Sequence, residues 1–155
     1  MKKLYTILLI SLIAVKANAQ FTIAQKTITD VGITNNTTSA ILQQPDGKII
    51  SLGSVQEGSK YKIALLRFDS TGKPDAGFGN MGIDTFSIAR ILPLSYGGAS
   101  LKALALQTDG KIVVAGTAYE SATFYGDLLV MRFNKNGTID SSFGKKGSTD
   151  RKSVV

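Results

Sequence analysis

The chain has 155 residues, with 18 Lys and Arg against 11 Asp and Glu, and it contains no His, Cys or Trp. Without His or Cys it cannot form a Ser-His-Asp triad, a Cys-His nucleophile, a Cys/His zinc site, a Cys-ligated cluster or a disulfide. Its 43% hydrophobic and 19% charged residues are typical of a folded rather than a disordered chain.

The first 19 residues have the pattern of a signal peptide. Lys2 and Lys3 precede an apolar run, Leu4–Val15, and Ala17-Asn18-Ala19 supplies the small-x-small site that a signal peptidase reads. The run is shorter than the ~20 apolar residues of a permanent span, so an uncleaved anchor is the less favoured alternative. We expect an exported chain that is secreted, periplasmic or at the cell surface, with no membrane span after cleavage.

Cleavage also changes the charge. It removes Lys2, Lys3 and Lys16, which lowers the net charge from +7 to +4. The remaining basic residues are scattered, whereas a nucleic-acid surface clusters them and interleaves stacking aromatics. We therefore expect no nucleic-acid partner.

The remaining chain is an internal repeat, the feature to seek before secondary structure. Gln44–Ile50 returns 63 residues later as Gln107–Val113, and after a two-residue insertion Leu65–Asp69 returns as Val130–Asn134. The later pairs, all at an offset of 65, are Gly72 and Gly137, Asp75 and Asp140, Phe78 and Phe143, Gly79 and Gly144, and Gly82 and Gly147.

Each copy predicts β-strands, and no segment after the leader shows a sustained helical period. Asp46-Gly47 and Asp109-Gly110 lie between apolar runs and predict hairpins with type I′ turns. Runs that do not alternate, such as Ile63–Leu66, predict sheets covered on both faces. The predicted strands are 39–43, 48–54, 61–68 and 83–88, then 101–106, 111–117 and 128–133, with a further strand at 21–28.

Four short strands per copy, stacked on a neighbour, are typical of a β-propeller blade or a related β array. We predict an all-β fold, a partial β-propeller-like array of two four-stranded repeat units. Closed propellers have four to eight blades, which indicates a fragment of a larger propeller. The predicted divisions are a signal peptide at 1–19, a strand and linker at 20–38, repeat unit 1 at 39–100, an incomplete repeat unit 2 at 101–149 and a tail at 150–155.

The tail is interpreted as an artefact of the source sequence. Residues 150–155 follow at the place where the fourth strand of unit 2 should be apolar. A codon string that encodes them resembles a short-read sequencing adapter, and a natural basic tail is the alternative. Two units alone would leave bare apolar faces and unpaired strand edges, so the expected partners are further repeats of the same protein or a second copy.

The combined motif resembles the delta-60 repeat family of exported bacterial proteins. It reads Gln-x-Asp-Gly-Lys-Ile-(Ile/Val), then Arg-Phe-(Asp/Asn), then Gly-x-x-Asp-x-x-Phe-Gly-x-x-Gly, and it covers roughly Ser39 to Gly147. Ser51-Leu52 and Pro74 depart from the usual pattern. The resemblance implies a β-propeller-like fold but little about function, because that family has no established common activity.

Duplicated side chains are predicted to have structural roles. Arg67 and Arg132 end apolar strands and need partners if they are buried, and the duplicated Asp75 and Asp140 are the candidates. The duplicated Phe side chains are predicted to fill the space between blades. The structural repeat residues are Asp46, Gly47, Arg67, Phe78, Asp109, Gly110, Arg132 and Phe143.

Two polar loops allow a calcium interpretation. Calcium needs six to eight oxygen ligands, and each loop has at most two carboxylates and lacks the late Glu of EF-type loops. A turn in which Asp or Asn bonds its own backbone is favoured instead. The calcium alternative would use Asp69, Asp75, Asn134, Asn136 and Asp140.

A G-x-G-x-x-G run at residues 77–82 matches the dinucleotide fingerprint only in letters. That fingerprint requires a following helix whose N-terminus faces the pyrophosphate, and a β-like segment follows here. We predict a turn and no cofactor.

Function is assigned by elimination. We predict no catalytic, cofactor-binding or metal site, and a non-catalytic exported module with a scaffold or binding role toward a surface glycan or a protein. The non-repeated aromatic residues Tyr119, Phe124 and Tyr125 are the candidate ligand contacts, since they could stack on sugar rings. The alternative is a fragment of a secreted propeller enzyme acting on polysaccharide, against which the lack of His and of paired carboxylates weighs.

Overall fold

Two antiparallel four-stranded sheets follow one another along the chain in a computed structural model that describes residues 36–58, 60–92, 96–123 and 126–151. In each sheet the spatial order of the strands is their order in the chain. Sheet 1 consists of β1 Asn36–Gln43, β2 Ile49–Glu57, β3 Lys60–Phe68 and β4 Ile83–Phe86. Sheet 2 consists of β5 Tyr96–Leu106, β6 Ile112–Glu120, β7 Gly126–Phe133 and β8 Ser148–Arg151. The predicted all-β array of two four-stranded units is confirmed.

The element boundaries differ from the predicted ones in several places. β1 begins at Asn36, and β5 begins at Tyr96, inside the segment assigned to unit 1. β4 is shorter than predicted and is followed by a 3-10 turn, Ile88–Arg90. The predicted strand at 21–28 and the signal peptide at 1–19 lie outside the described residues.

The second sheet has four strands, and its last strand extends two residues beyond the predicted end of unit 2 at residue 149. Asp150 pairs with Leu129 and Arg151 with Leu128, so the first two residues of the supposed tail belong to β8. The reason is that an edge strand is held by main-chain hydrogen bonds and does not need apolar side chains.

The Asp-Gly hairpins do not have the predicted type I′ turns, which require positive φ at both central residues. The Gly47 amide donates to the Gln44 carbonyl at 2.9 Å, which makes Pro45 the first central residue, and its ring keeps φ negative. Gly47, with φ 82°, is the fourth residue. This is the three-residue loop in which an ordinary turn is followed by a left-handed glycine.

Each sheet has an irregularity between its first two strands, opposite a repeated glycine. The register of β1 on β2 shifts between Thr38 and Ala40, where Thr38 pairs with Gly53, and that of β5 on β6 shifts beside the Leu101–Gly116 pair. A Cβ atom on Gly53 would overlap the Thr37 carbonyl oxygen. These glycines allow the bulged strand to approach closely.

The core lies between the sheets, and on the other face of sheet 1 Val55 and Ala64 are also buried, at 2% and 1% exposed. One continuous apolar cluster joins the two sheets, and the rings of Phe86 and Phe133 have their centroids 5.0 Å apart across the junction. In sheet 2 the side chains of this cluster alternate along β6 and β7 with exposed or half-buried ones, whereas Ile63, Ala64 and Leu65 of β3 are all buried. No helix in the described ranges is long or apolar enough to cross a membrane.

Candidate functional site: the junction between repeats and the cleft beside it

Sheet 1 carries a cluster of charged side chains and one aromatic ring near the end of β3. Arg67 Nε donates to Asp75 Oδ2 at 2.8 Å, and Lys48 Nζ lies 2.9 Å from the same oxygen. The other oxygen, Asp75 Oδ1, accepts from the Gly77 amide at 3.0 Å. The guanidinium carbon of Arg67 lies 4.6 Å above the centre of the Phe78 ring. The predicted Arg–Asp pair is present, and it is part of a larger cluster.

Sheet 2 repeats the cluster almost without change. Arg132 Nε donates to Asp140 Oδ2 at 2.8 Å, and Lys111 Nζ lies 2.9 Å from that oxygen. The Asp140 Oδ1 atom accepts from the amide and the hydroxyl of Ser142, at 3.1 and 2.6 Å. Arg132 lies 4.7 Å from the centre of the Phe143 ring. The repeated motif therefore adopts the same conformation, with the same side-chain contacts, in both sheets.

These contacts hold both carboxylates in the charged form. The hydrogen bond from Lys48 and the amide of Gly77 lower the pKa of Asp75 from 3.8 to about 2. The Ser142 hydroxyl and then Lys111 hold the pKa of Asp140 well below its usual range. A carboxylate with such a low pKa is a poor general acid or base at neutral pH, so the clusters are suited to structure rather than to proton transfer.

The two repeats also meet where a loop of the second repeat contacts the charged and aromatic cluster of the first. We call the receiving groups socket 1 and the entering loop knob loop 2. Socket 1 is Arg67, Phe78 and Gly79, and the loop that it binds, knob loop 2, is Asn134–Thr138. The corresponding groups of the other repeat are socket 2, which is Arg132, Phe143 and Gly144, and knob loop 1, which is Asp69–Lys73.

Socket 1 binds the main chain of knob loop 2. Arg67 Nη1 donates to the Lys135 carbonyl at 2.7 Å. The Gly79 amide donates to the Asn136 carbonyl at 2.8 Å. Both acceptors are carbonyl oxygens, so the contact depends on the path of the loop and not on the side chains that it carries.

The Phe78 ring closes the junction. It is fully buried, and it lies against Gly137, where an added Cβ would come within 2.9 Å of the ring. Phe78 is thus a packing residue between blades, as predicted. Its counterpart Phe143 is only half-buried.

The oxygens of the proposed calcium loops are engaged in turns. Asp69 Oδ1 accepts from the amide and hydroxyl of Thr71 and from the Lys73 amide, at 2.8, 2.7 and 3.0 Å. In the second repeat Asn136 Oδ1 accepts from the hydroxyl of Thr138 at 2.8 Å. Both loops have the main-chain bonds expected of the favoured turn, with an i to i+3 bond closed by a left-handed glycine.

The G-x-G-x-x-G run is a turn as well. Gly79, Met81 and Gly82 have φ of 52°, 52° and 95°, and β4 rather than a helix follows. The Ile83 carbonyl accepts from the Asn80 amide at 2.7 Å, which closes the turn onto the strand.

A cleft opens between the sheets at the end away from the sockets. It has a volume of about 510 Å³, and Tyr61, Lys62, Gly98 and Tyr119 are among the residues that line it. Tyr61 and Tyr119 are 64% and 41% exposed. Of the three predicted ligand contacts, Tyr119 lies here, while Phe124 and Tyr125 lie outside the described residues.

Sequence reasoning missed Tyr61 and the role of the two lysines. Tyr61 has Gly126 as its counterpart at the offset of 65, so it is a non-repeated aromatic residue, the signal that selected Tyr119. Lys48 and Lys111 belong to the repeated motif, but the motif alone did not assign them an ion-pair partner. Their duplication alongside Asp75 could have indicated a common ion pair.

Two face-to-face antiparallel sheets with matching sockets form an open array of propeller-type blades. Residues 44–78 and 107–143 match a family model described as "Domain of unknown function (DUF5122) beta-propeller". Each matched stretch runs from the Gln of its hairpin turn to the Phe of its socket, so both repeats are similar to that family over the whole Lys–Arg–Asp–Phe cluster. No curated protein matches the chain, and no solved structure does.

Proposed function

We propose that this chain is a non-catalytic repeat module of the delta-60 type, exported from the cell, with a binding or scaffold role at the cell surface or outside it. The observation that carries the proposal is the separation of repeated from non-repeated residues. The duplicated Arg, Asp, Lys and Phe side chains are engaged with one another or with the next repeat. The two exposed tyrosines of the cleft, by contrast, correspond to residues that are not aromatic in the other repeat, Gly126 and Gln56.

The cleft has the size and lining of a small ligand site. Its volume of about 510 Å³ lies within the range of about 300 to 1,000 Å³ of such pockets. Tyr61 offers a flat apolar ring face with a polar hydroxyl at one end, and Tyr119 also belongs to the lining. Such rings pack against the C–H face of a sugar, while Lys62 and Ser54 add polar groups to the lining. This chemistry favours a surface glycan as the ligand over a protein.

Export is supported by the first 19 residues. The basic start, the apolar run and the Ala17-Asn18-Ala19 site together make the pattern of a cleaved leader. The absence of Cys removes any dependence on disulfide formation outside the cell. N-terminal sequencing of the exported chain tests the assignment, and a start at Gln20 is expected.

A glycan array tests the binding site. The wild-type chain is compared with Tyr61→Ala and Tyr119→Ala, and Met81→Ala is the matched control, since Met81 is 68% exposed and does not line the cleft. Each tyrosine variant is expected to lose about tenfold or more in affinity, and the control is expected to bind like the wild type. Equal binding by all four proteins would remove the cleft from the proposal.

A hydrolysis assay on the same glycans tests the non-catalytic assignment. No release of reducing ends is expected. Turnover of any glycan by the purified chain would overturn the assignment and favour a polysaccharide-degrading enzyme. The absence of any array signal would count against a glycan and leave a protein ligand or a scaffold role.

A further inference from the structure

We propose that socket 2 binds knob loop 1 of a second copy of this chain, so that copies join head to tail. The inference rests on the proposed function as a repeat module and names the partner of that module. It is carried by the internal symmetry of the chain. Socket 1 with knob loop 2 already shows how such a loop and such a socket fit together.

Socket 2 has the geometry of socket 1 without its occupant. Arg132 is oriented by Asp140 as Arg67 is by Asp75, with Nε to Oδ2 distances of 2.8 Å in both. Among the described residues, however, neither terminal nitrogen of Arg132 has an acceptor. The Gly144 amide also lacks one there. The Arg132 side chain is twice as exposed as that of Arg67, at 20% against 10%.

Knob loop 1 presents the groups that socket 2 lacks. It closes with the same bonds as knob loop 2, from the fourth residue to the first carbonyl and from the first amide to the fifth carbonyl. The carbonyls of Ser70 and Thr71 stand where Lys135 and Asn136 stand in knob loop 2, and Gly72 replaces Gly137. Because the acceptors are main-chain atoms, the different side chains do not alter the fit.

The open face of sheet 2 matches the covered face of sheet 1. Sheet 1 covers sheet 2 with buried side chains. Their counterparts in the second repeat lie on the far side of sheet 2, where they are exposed or half-buried. Ile63 is 5% exposed and its counterpart Leu128 is 58% exposed. The four pairs are Ile50 and Val113, Leu52 and Ala115, Ile63 and Leu128, and Leu65 and Val130.

The outer face of sheet 1 completes the match at its Ile49–Phe68 end, whereas Val55 and Ala64 on the same face are themselves buried, at 2% and 1% exposed. Sheet 2 packs on sheet 1 through residues that include the fully buried Ile112 and Phe133. Their counterparts on the outer face of sheet 1 are Ile49 and Phe68. A groove of about 290 Å³ runs over this face, lined by Ile41 and Leu66 among others. Exposed apolar faces of this kind mark protein contacts. A second copy can lay this face on the open face of sheet 2 while its knob loop 1 enters socket 2.

The contact joins different surfaces of the two copies. A contact of this type generates a ring if its rotation closes and an open filament if it does not, and two copies would already supply the four blades of the smallest closed propeller. Copies that met by laying the open face of sheet 2 on the same face of the other copy would not bring knob loop 1 to socket 2. The direction of the contact is therefore the property to test.

Directed cross-linking of the full chain makes that test, because the absence of Cys makes every introduced thiol unique. The Asn136 carbonyl contacts the Gly79 amide within the chain, so Thr71 of one copy should lie beside Gly144 and Lys145 of another. Thr71→Cys and Lys145→Cys variants, both at exposed positions, are mixed and treated with a short bis-maleimide. The mixture is expected to form the mixed dimer, and neither variant is expected to cross-link alone.

A double variant within one chain serves as the positive control. Asn80→Cys with Asn136→Cys places the thiols at the junction that the chain already has, and it should cross-link internally at any concentration. Cross-linking of Thr71→Cys or Lys145→Cys with itself would overturn the proposal in favour of a symmetric dimer. A mixture that stays uncross-linked while the positive control reacts would also overturn it.

Sedimentation velocity with a pair of lysine variants tests the apolar face. Leu128→Lys puts a charge on the open face of sheet 2 and is expected to raise the dissociation constant about tenfold or more. Thr108→Lys is the control, at an exposed turn away from that face, and should associate like the wild type. A chain that is monomeric at all concentrations, or unchanged by Leu128→Lys, refutes the contact.

These outcomes are independent of the glycan assays. A monomer without hydrolytic activity would overturn only the head-to-tail contact. A self-associating chain that hydrolyses glycans would overturn only the non-catalytic function.

Discussion

Arg67 and Lys135 are hydrogen-bonded across the junction of the two sheets, from the guanidinium of one repeat to the main-chain carbonyl of the next, at 2.7 Å. The guanidinium is held for this contact from two sides, by Asp75 at 2.8 Å and by the face of Phe78 at 4.6 Å. The charged cluster is thus a device for stacking repeats, and its two copies differ in whether a loop occupies them. Each copy serves as the control for the other.

The two socket phenylalanines should differ in their contribution to stability. Phe78→Ala removes a fully buried ring and is expected to lower the free energy of unfolding by about 3–5 kcal/mol. Phe143→Ala removes a half-buried ring and should cost about 1 kcal/mol. Urea unfolding at low protein concentration, where copies do not associate, measures both. Equal losses would show that the Phe78 contact with knob loop 2 adds nothing.

Glycines of the same backbone conformation should differ according to what covers them. Gly137 and Gly110 have φ of 93° and 82°, so alanine is strained at both. An added Cβ would lie 2.9 Å from the Phe78 ring at Gly137, but 3.6 Å from the nearest atom at Gly110. Gly137→Ala should therefore be the more destabilising in thermal unfolding. The reverse order would contradict the ring-on-glycine contact.

The bulge glycines should resist substitution for a steric reason. Gly53→Ala would overlap the Thr37 carbonyl oxygen and is expected to cost about 1–3 kcal/mol or more. Gly98 is the matched control, since nothing lies within 4 Å of an added Cβ and its φ is not positive. Gly98→Ala should change the unfolding free energy by less than about 0.5 kcal/mol. Similar losses in both variants would refute the close approach of β1 to β2.

Acid should loosen the junction between repeats. The folded pKa of Asp75 is about 2 against an ordinary 3.8, so its stabilising effect is complete above the ordinary value and is lost as the pH falls toward 2. Asp69 and Asp140 also have lowered pKa values, through hydrogen bonds led by Thr71 and Ser142, and they act in the same direction. Burial raises the pKa of Asp84, which acts in the opposite direction.

We expect stability to fall between about pH 4 and pH 2, measured as the urea midpoint at each pH. Asp75→Asn should flatten part of this dependence, because it removes one carboxylate with a lowered pKa. A variant with the same slope as the wild type would contradict the assignment of Asp75 to the acid-sensitive junction.

The fold was largely predictable because duplication multiplies weak signals. One Asp-Gly pair is a modest hairpin signal, but two pairs with matching flanks located both hairpins, and the Arg67–Asp75 pair was proposed from its repetition. The turn type was wrong because Pro45 places Gly47 at the end of the turn and not at its centre. The extension of β8 through Asp150 gives no apolar signal in the sequence, because main-chain pairing holds an edge strand without apolar side chains.

The contact between repeats could not be predicted from side-chain types. The acceptors for Arg67 and Gly79 are carbonyl oxygens, which every residue has. The residue types at positions 135 and 136 therefore give no indication of these hydrogen bonds. Tyr61 was missed because the β2–β3 and β6–β7 hairpins differ in length. The alignment that would reveal it as unmatched depends on where the two-residue insertion is placed.

Socket 1 contacts two carbonyl oxygens and one glycine of knob loop 2, so it depends little on which other residues that loop carries. The residues at the two matched places differ, Ser70 and Thr71 in one repeat and Lys135 and Asn136 in the other, while both loops close with the same main-chain bonds. A duplicated repeat would therefore need a matching apolar face, but no particular residues at these two loop positions, to join the array.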